Sequence, residues 1–167
     1  VGLYHIENLT PEAKELGRDL VLPNAQVYVI DDAELARVQA NYPVMWKNPD
    51  AAPKLCFVGC PHLSMQQLID WTDRVEQGLK KSGLKKVAIP TVFTTAPAVK
   101  KAFDQTPHAA RLKATGVVLS CICPLMYMNN PLAGKMPVIT CSNKLRTYTT
   151  ARYYTEAQIL EKITKGA

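Results

Sequence analysis

The sequence predicts an α/β fold with a mostly parallel sheet flanked by helices. Short apolar runs rich in β-branched residues are bounded by Gly and Pro, which predicts strands. Stretches with apolar residues at helical spacing follow most of these runs, which predicts helices. Because strands and helices alternate along the chain, the connections are typical of crossovers between parallel strands.

The clearest strand–helix step lies in the middle of the chain. Residues 55–58 are rich in β-formers and too few for a helix, and Gly59 ends the run. Ser64 followed by Gln67 has the spacing of a capping box, in which each side chain bonds the backbone of the other residue. This pair predicts the start of an amphipathic helix over 65–81.

The remaining elements follow from the same rules, and together they predict a single α/β domain over residues 1–167. The further predicted strands are 26–30, 87–93 with a bend at Pro90, 116–124 and 138–141. The further predicted helices are 11–20, 33–41, 97–103, 107–114, 142–152 and 156–165. The connecting loops are predicted at 42–53 and 126–135.

The composition is that of a globular protein with a modest positive charge. The chain has 167 residues, 47% of them hydrophobic, which is enough for one core. The net charge of +6 comes from dispersed Lys and Arg without interleaved aromatic residues, so we expect solvated helix ends and no nucleic-acid partner. The charge would suit a small anionic substrate. No signal peptide or membrane-length apolar run is present, which predicts a cytoplasmic protein without a membrane partner.

Cysteines stand at the ends of three predicted strands. These are Cys60, the pair Cys121 and Cys123, and Cys141. Because parallel strands end at the same edge of a sheet, these thiols can converge, and convergent thiolates bind iron–sulfur clusters or zinc. The alternative is that they are only buried apolar residues, as we expect for Cys56. The absence of a Cys-x-x-Cys motif makes a thiol redox function the weaker interpretation.

A second candidate site follows the strand at 138–141. Ser142 can cap a helix whose first turns carry Lys144 and Arg146. Backbone N–H groups and two cations together suit a carboxylate or a phosphate. The alternative is an ordinary capped helix with solvated basic side chains.

Several segments together resemble the aconitase X family. In chain order they are His5, Thr10-Pro-Glu-Ala13, Gly59-Cys-Pro-His-Leu-Ser64, Cys123-Pro124, Ser142-Asn-Lys144 and Tyr148. The resemblance implies an aconitase-like domain and a hydro-lyase of the aconitase superfamily. Family members dehydrate cis-3-hydroxy-L-proline or, in archaea, 5-phosphomevalonate, and the resemblance favours a hydroxyproline-like or other small hydroxy acid here.

The resemblance also implies roles for particular residues. Cys60 and Cys123 occupy positions that hold an iron–sulfur cluster or iron in the family. Ser142 and Lys144 match a segment that lines the substrate cleft, so they are expected to bind the anionic substrate. His62, beside a metal ligand, is the candidate catalytic residue that hydrogen-bonds the leaving hydroxyl group.

Two positions depart from the family pattern, and the family enzyme is longer than this chain. Cys121 stands where the family usually has Asp, and Cys141 where it usually has Asn. The chain looks like a C-terminal part of the large region, without the small swivelling subunit or domain. A further metal ligand and the general base are then expected elsewhere, and the isolated chain is expected to be inactive. The alternatives are a phosphomevalonate dehydratase and a non-catalytic, thiol-rich module of a larger assembly.

Overall fold

A computed structural model describes residues 3–165. Contacts divide the chain into two compact units, Val1–Tyr42 and Pro43–Ala167. All the strands of the described residues belong to the second unit. The interpretation of residues 1–167 as one domain of a longer protein stays a prediction.

The first unit is short, and the regular elements of its described residues are helical. Helix α1 spans Pro11–Leu16, and a 3-10 turn at Gly17–Leu20 follows it. The predicted helix over 11–20 therefore changes its winding at Gly17, which has a positive φ of 56°. Helix α2 spans Asp32–Ala40, close to the prediction.

Asp31 caps α2, and the sequence allows either Asp31 or Asp32 in that role. Its side chain accepts a hydrogen bond from the backbone N–H of Glu34 at 2.8 Å. This bond satisfies one of the backbone donors that have no partner inside the helix.

The strand predicted at 26–30 is wrong. These residues have no regular structure, and Val27, Tyr28, Val29 and Ile30 are 68–87% exposed. A strand exists only when its backbone pairs with another strand, and the described part of this unit contains none. The residue pattern at 26–30 is therefore typical of a strand, but no strand among the described residues pairs with it.

The second unit is built around a five-stranded sheet. The strands are β1 (Leu55–Leu63), β2 (Thr91–Thr95), β3 (Val118–Ser120), β4 (Val138–Thr140) and β5 (Arg152–Tyr153). Their order in the sheet is β3-β2-β1-β4-β5, and every pairing is parallel. This confirms the predicted α/β fold class.

Helices cover both faces of the sheet. They are α3 (Met65–Ser82), α4 (Pro97–Phe103), α5 (Pro107–Ala114), α6 (Pro124–Met128), α7 (Asn143–Tyr148) and α8 (Glu156–Lys165). Cys56 and Val58 of β1 pack in a core with α3, α4, α5 and α8, whereas Leu55 and Phe57 pack in a second core with α6 and α7. The central strand is thus buried on both faces, as is typical of parallel sheets.

Helix α3 confirms its predicted start and length. Ser64 accepts from the backbone N–H of Gln67 at 3.2 Å, and the Gln67 side chain accepts from the Ser64 N–H at 2.9 Å. Gly83 ends the helix in the left-handed conformation. Neither α3 nor any other helix within residues 3–165 is both long and apolar enough to cross a membrane.

The other differences from the predicted elements have local causes. β2 begins after Pro90, because proline has no N–H for the ladder, and it lies inside the sheet between β1 and β3. The predicted loop at 126–135 contains the end of α6 and a 3-10 turn at Ala133–Lys135. The predicted helix at 142–152 ends at Tyr148 and gives way to β5.

The carboxyl end of β1 leaves the regular ladder. Val58 pairs with Phe93 and Leu63 pairs with Thr95, so five steps along β1 correspond to two along β2. The extra residues include Cys60, and the Cys60–Pro61 peptide bond is cis. This irregular segment, residues 59–62, is called the β1 bulge below.

The β1 bulge is held at both of its ends by threonines of β2. The hydroxyl group of Thr94 donates to the carbonyl oxygen of Gly59 at 2.5 Å. The hydroxyl group of Thr95 donates to the carbonyl oxygen of Leu63 at 2.5 Å. Both threonines are buried, so these bonds are shielded from water.

We expect Gly59→Ala to lower the free energy of unfolding by about 3 kcal/mol. Gly59 has a φ of 113°, and an added Cβ would lie 2.3 Å from the carbonyl oxygen of Thr94. Gly83→Ala is the matched control, since Gly83 has a φ of 73° but nothing within 4 Å of a new Cβ. It should cost only about 1 kcal/mol, the penalty of the left-handed backbone. Urea unfolding followed by circular dichroism measures both, and equal losses would contradict the close contact.

Candidate functional site

The strand order places a topological switch point between β1 and β4. From β1 the chain proceeds to β2 and β3 on one side, then crosses to β4 and β5 on the other side of β1. In open parallel sheets, ligands bind in the crevice outside the carboxyl ends of the strands at such a point. The β1 bulge lies near the carboxyl end of β1, and Ser142 follows β4, so this edge is the candidate site.

Ser142 ties the two strand ends together. Its hydroxyl group donates to the carbonyl oxygen of Cys60. It also accepts from the backbone N–H of Leu145 at 2.9 Å, which caps α7. The backbone N–H of Ser142 in turn donates to the hydroxyl oxygen of Thr140 at 3.0 Å. Ser142 is buried, and its single hydroxyl proton is engaged within the protein.

His62 lies beside the segment that carries two of the cysteines. Its Nε2 donates to the carbonyl oxygen of Ile122 at 3.4 Å. With Nε2 as the donor, Nδ1 is an acceptor in the neutral ring and a donor in the protonated ring. Ile122 stands between Cys121 and Cys123, both half-buried. The structure therefore brings the β1 bulge and the 121–123 segment together.

Cys123 and Lys144 lie at the starts of two short helices. Cys123 is the residue before α6, and its carbonyl oxygen accepts from the N–H of Tyr127 at 3.1 Å. Lys144 is exposed in the first turn of α7. The assignment of these two residues to metal and substrate stays a prediction.

Cys141 and Cys60 lie on opposite faces of the sheet. Cys60 packs against the core under α6 and α7, whereas Cys141 packs with Tyr154 in the core under α3 and α8. Burial raises the pKa of the Cys141 thiol to about 11, and the charge of Glu156 adds to that rise. Burial also raises the pKa of Cys56. Both thiols are therefore protonated at neutral pH.

The described residues do not complete a metal site. Within residues 3–165, no group of three or more His, Cys, Asp or Glu side chains is arranged to hold a metal ion. An iron–sulfur cluster needs three or four protein ligands, usually thiolates. Cys60 and Cys123 therefore do not hold a cluster by themselves, and a complete site would need donors from outside this chain.

The aconitase X third domain matches residues 53–164, which is more than half of the chain. The chain belongs to the aconitase X family. The match covers β1 to α8, including the β1 bulge and Ser142, and it confirms the family to which the sequence motifs pointed.

Two known proteins extend this relationship. The chain is 28% identical to the phosphomevalonate dehydratase large subunit of Thermococcus kodakarensis over 104 residues, which are 62% of this chain and 24% of that protein. The crystal structure of Thermococcus kodakaraensis aconitase X in its holo-form has the same fold, with a TM-score of 0.63 and 18% identity. The similarity covers 84% of this chain and 36% of that one. This aconitase X chain thus spans about a quarter of the length of the curated relative.

The side chains that position the site have weak signals in the sequence. Thr94 and Thr95 anchor the β1 bulge, and their only signal is that two adjacent hydroxyl groups end a β-rich run. Ser142 was identified through its capping role, but its bond to the Cys60 carbonyl joins residues 82 positions apart. No local pattern reveals such a pair.

We expect Ser142→Ala to destabilise the protein by about 2 kcal/mol, because it removes a helix cap and leaves the buried end of β1 without its donor. It should also speed the alkylation of Cys60 by iodoacetamide, since the bulge loses one of its attachments. Mass spectrometry of the Cys60 peptide measures this rate.

Thr155→Ala is the matched control for that change. Thr155 accepts from the backbone N–H of Gln158 at 3.3 Å at the start of α8, so its loss removes a cap without touching the β1 bulge. It should cost about 1 kcal/mol and leave the Cys60 rate unchanged. Equal acceleration in both variants would show that general loosening, and not the Ser142 bond, controls Cys60.

We expect the alkylation rate of Cys141 to rise about tenfold with each pH unit from pH 7 to pH 10. Thiolate is the reacting form, and a thiol whose pKa is raised to about 11 has not yet titrated in this range. Quantitative mass spectrometry of the Cys141 peptide in the folded protein gives the profile. A plateau near pH 9 would contradict the buried, protonated state.

Proposed function

We propose that this chain contributes the switch-point edge of a hydro-lyase active site, in a longer aconitase X enzyme that removes water from a small hydroxy acid. Family membership supports the reaction class. The observation that carries the proposal is the bond from Ser142 to the Cys60 carbonyl, because it joins the two strand ends between which a ligand crevice is expected. The location is proposed to be the cytoplasm.

The proposed substrate is a small anion such as cis-3-hydroxy-L-proline. Lys144 is exposed at the start of α7 and can approach a carboxylate, while Ser142 fixes the backbone of that turn. Dehydration of phosphomevalonate is the second candidate, favoured by the relative that carries that name. Both substrates are anionic, so the same cation would serve either.

His62 is proposed to bind the hydroxyl group that leaves. Its Nε2 contacts the Ile122 carbonyl, so Nδ1 is the ring nitrogen that can hydrogen-bond that group. When Nδ1 carries a proton, it can give this proton to the hydroxyl oxygen as the C–O bond breaks, so that the group leaves as water. The exposed position of His62 keeps the ring reachable from the crevice. The ring orientation is set by Ile122 and not by the substrate.

Iron or an iron–sulfur cluster is proposed as the cofactor, with Cys60 and Cys123 as the ligands from this chain. When bound, such a metal supplies a Lewis acid for the departing hydroxyl group. The described residues do not form a complete ligand set. The remaining ligands and the general base are proposed to come from the rest of the enzyme.

The proposed partner is a small swivelling subunit or domain. The relative from Thermococcus kodakarensis is named as a large subunit, which supports a two-part enzyme. A non-catalytic, thiol-rich module of a larger assembly is the competing interpretation, and it predicts no dependence of any activity on Cys60.

We expect Cys60→Ala and Cys123→Ala each to abolish iron loading and dehydration in the complete enzyme. The longer large subunit would be produced anaerobically with its small subunit, iron and sulfide. Iron would be quantified, and water loss would be assayed on cis-3-hydroxy-L-proline and on 5-phosphomevalonate. Cys141→Ala is the matched control, because Cys141 lies on the other face of the sheet, and it should retain both properties.

Unchanged iron content in the Cys60 and Cys123 variants would refute their role as ligands. An iron-loaded enzyme that acts on neither substrate would refute both proposed substrates. Loss of iron in the Cys141 variant as well would show that the effect is not specific to the face of the sheet on which Cys60 lies.

A further inference from the structure

We propose that residues 26–40 form a strand–helix unit that joins the parallel sheet of another domain of the complete large subunit. The unit consists of the β-forming run at 26–30 and helix α2. The proposal rests on the proposed function only in that it requires the longer large subunit. It concerns how that subunit is assembled and not the reaction that it catalyses.

The backbone of residues 26–30 is suited to pairing but is not paired. No backbone hydrogen bond joins this run to another residue within 3–165. The run contains neither proline nor a charged residue, and five residues are the usual length of a strand. Because backbone groups that leave water need a partner, this run can add to the free edge of a sheet.

The side chains of the run are apolar on both of its faces. In a strand, Val27 and Val29 point to one face, and Tyr28 and Ile30 point to the other. All four are 68–87% exposed in this chain. A strand that is apolar on both faces is typical of a parallel sheet with helices on each side, as β1 is here. A partner that covers the run must therefore cover two faces.

Helix α2 follows the run directly, as a crossover helix follows a strand of a parallel sheet. Its large apolar side chains, Leu35 and Val38, are three positions apart and lie on one side of the helix. They are 49% and 38% exposed, and no residue of α2 is buried. The hydroxyl group of Tyr28 donates to the carboxylate of Glu34, which ties the run to the helix. The run and α2 are thus one βα step whose apolar surfaces remain open to water.

The length of the family enzyme supports the rest of the large subunit as the partner. This chain spans 24% of the Thermococcus kodakarensis large subunit. The third-domain match, residues 53–164, is about two thirds of the chain, whereas the similarity to the holo-form aconitase X structure covers 84% of it. Because the match ends at residue 164 of 167, that similarity extends into the residues before 53. Residues before the third domain thus have counterparts in a longer chain, whose remaining length is the proposed partner.

A second copy of this chain is the poorer partner. Two runs that paired with each other would form a two-stranded ribbon, which is at best marginally stable in water. Both faces of the ribbon would stay exposed, since residues 27–30 are open to water in each copy. The net charge of +6 on each chain also opposes the approach of two copies. A sheet that has helices on both faces covers the run completely.

Amide hydrogen exchange tests the pairing without the use of turnover. Mass spectrometry with single-residue fragmentation would follow this chain, the complete large subunit, and that subunit with its small subunit. We expect residues 26–30 to exchange freely in this chain. In the complete large subunit, at least every second amide of the run should exchange about 100-fold more slowly, because a paired amide exchanges only when the strand opens. The small subunit should change nothing, and the amides of β1, paired within this chain, should be protected in all three samples.

Val27→Asp in the complete large subunit should lower that protection at least about tenfold, because it places a charge on a covered face of the strand. The same change in this chain should move the melting temperature by less than about 1 °C, since Val27 is 87% exposed there. Leu132→Asp is the matched control. Leu132 is 84% exposed and lies in the second unit, so this change should leave the protection of residues 26–30 as it was.

Four results would overturn the proposal. Free exchange of residues 26–30 in the complete large subunit would show that no strand forms. Protection in this chain alone would show pairing within the chain, or between copies where it rises with protein concentration. Protection that requires the small subunit would make that subunit the partner. Equal loss of protection in the Val27 and Leu132 variants would show general loosening.

The test separates this inference from the proposed function. A large subunit that shows the expected protection but removes no water from either substrate would refute the proposed function alone. An active enzyme in which residues 26–30 exchange freely would refute this inference alone.

Discussion

β1 is buried on both faces, and the other elements of the second unit are placed so that they cover it. Its odd and even residues pack in two separate cores, so the strand must have helices on each side and a strand along each edge. Burial of this kind removes the freedom to shift register, because a one-residue slip would exchange the contents of the two cores. The position at which β1 leaves the sheet is therefore fixed by packing far from the site.

The two separate cores also explain why cysteines at corresponding strand ends have different surroundings. Cys60 lies in a bulge that the ladder no longer aligns, and Cys141 directly follows a regular strand. Cys141 turns into the core under α3 and α8, where desolvation disfavours a thiolate. The end of a strand thus determines at which edge of the sheet a cysteine lies. The local backbone conformation determines on which face of the sheet its side chain packs.

Elements with local signals could be predicted from the sequence. The capping pair Ser64 and Gln67 identified the start of α3, and two adjacent aspartates, one of which is the cap, located that of α2. Both signals consist of bonds within three residues. The two-residue strand β5 could not be predicted, since so short a segment has no periodicity and exists only through its pairing with β4. Within the candidate site, the residue types at the strand ends could be identified, but the bonds that join them are long-range.

The apolar run at Val27–Ile30 has a consequence for the behaviour of the chain in solution. Four adjacent β-forming side chains are open to water, and their backbone does not belong to a sheet. Such a segment can pair with the same segment of another molecule, which is how cross-β aggregates nucleate. The net charge of +6 opposes this association by mutual repulsion, and added salt screens that repulsion. Colloidal stability of the isolated chain should therefore decline as ionic strength rises.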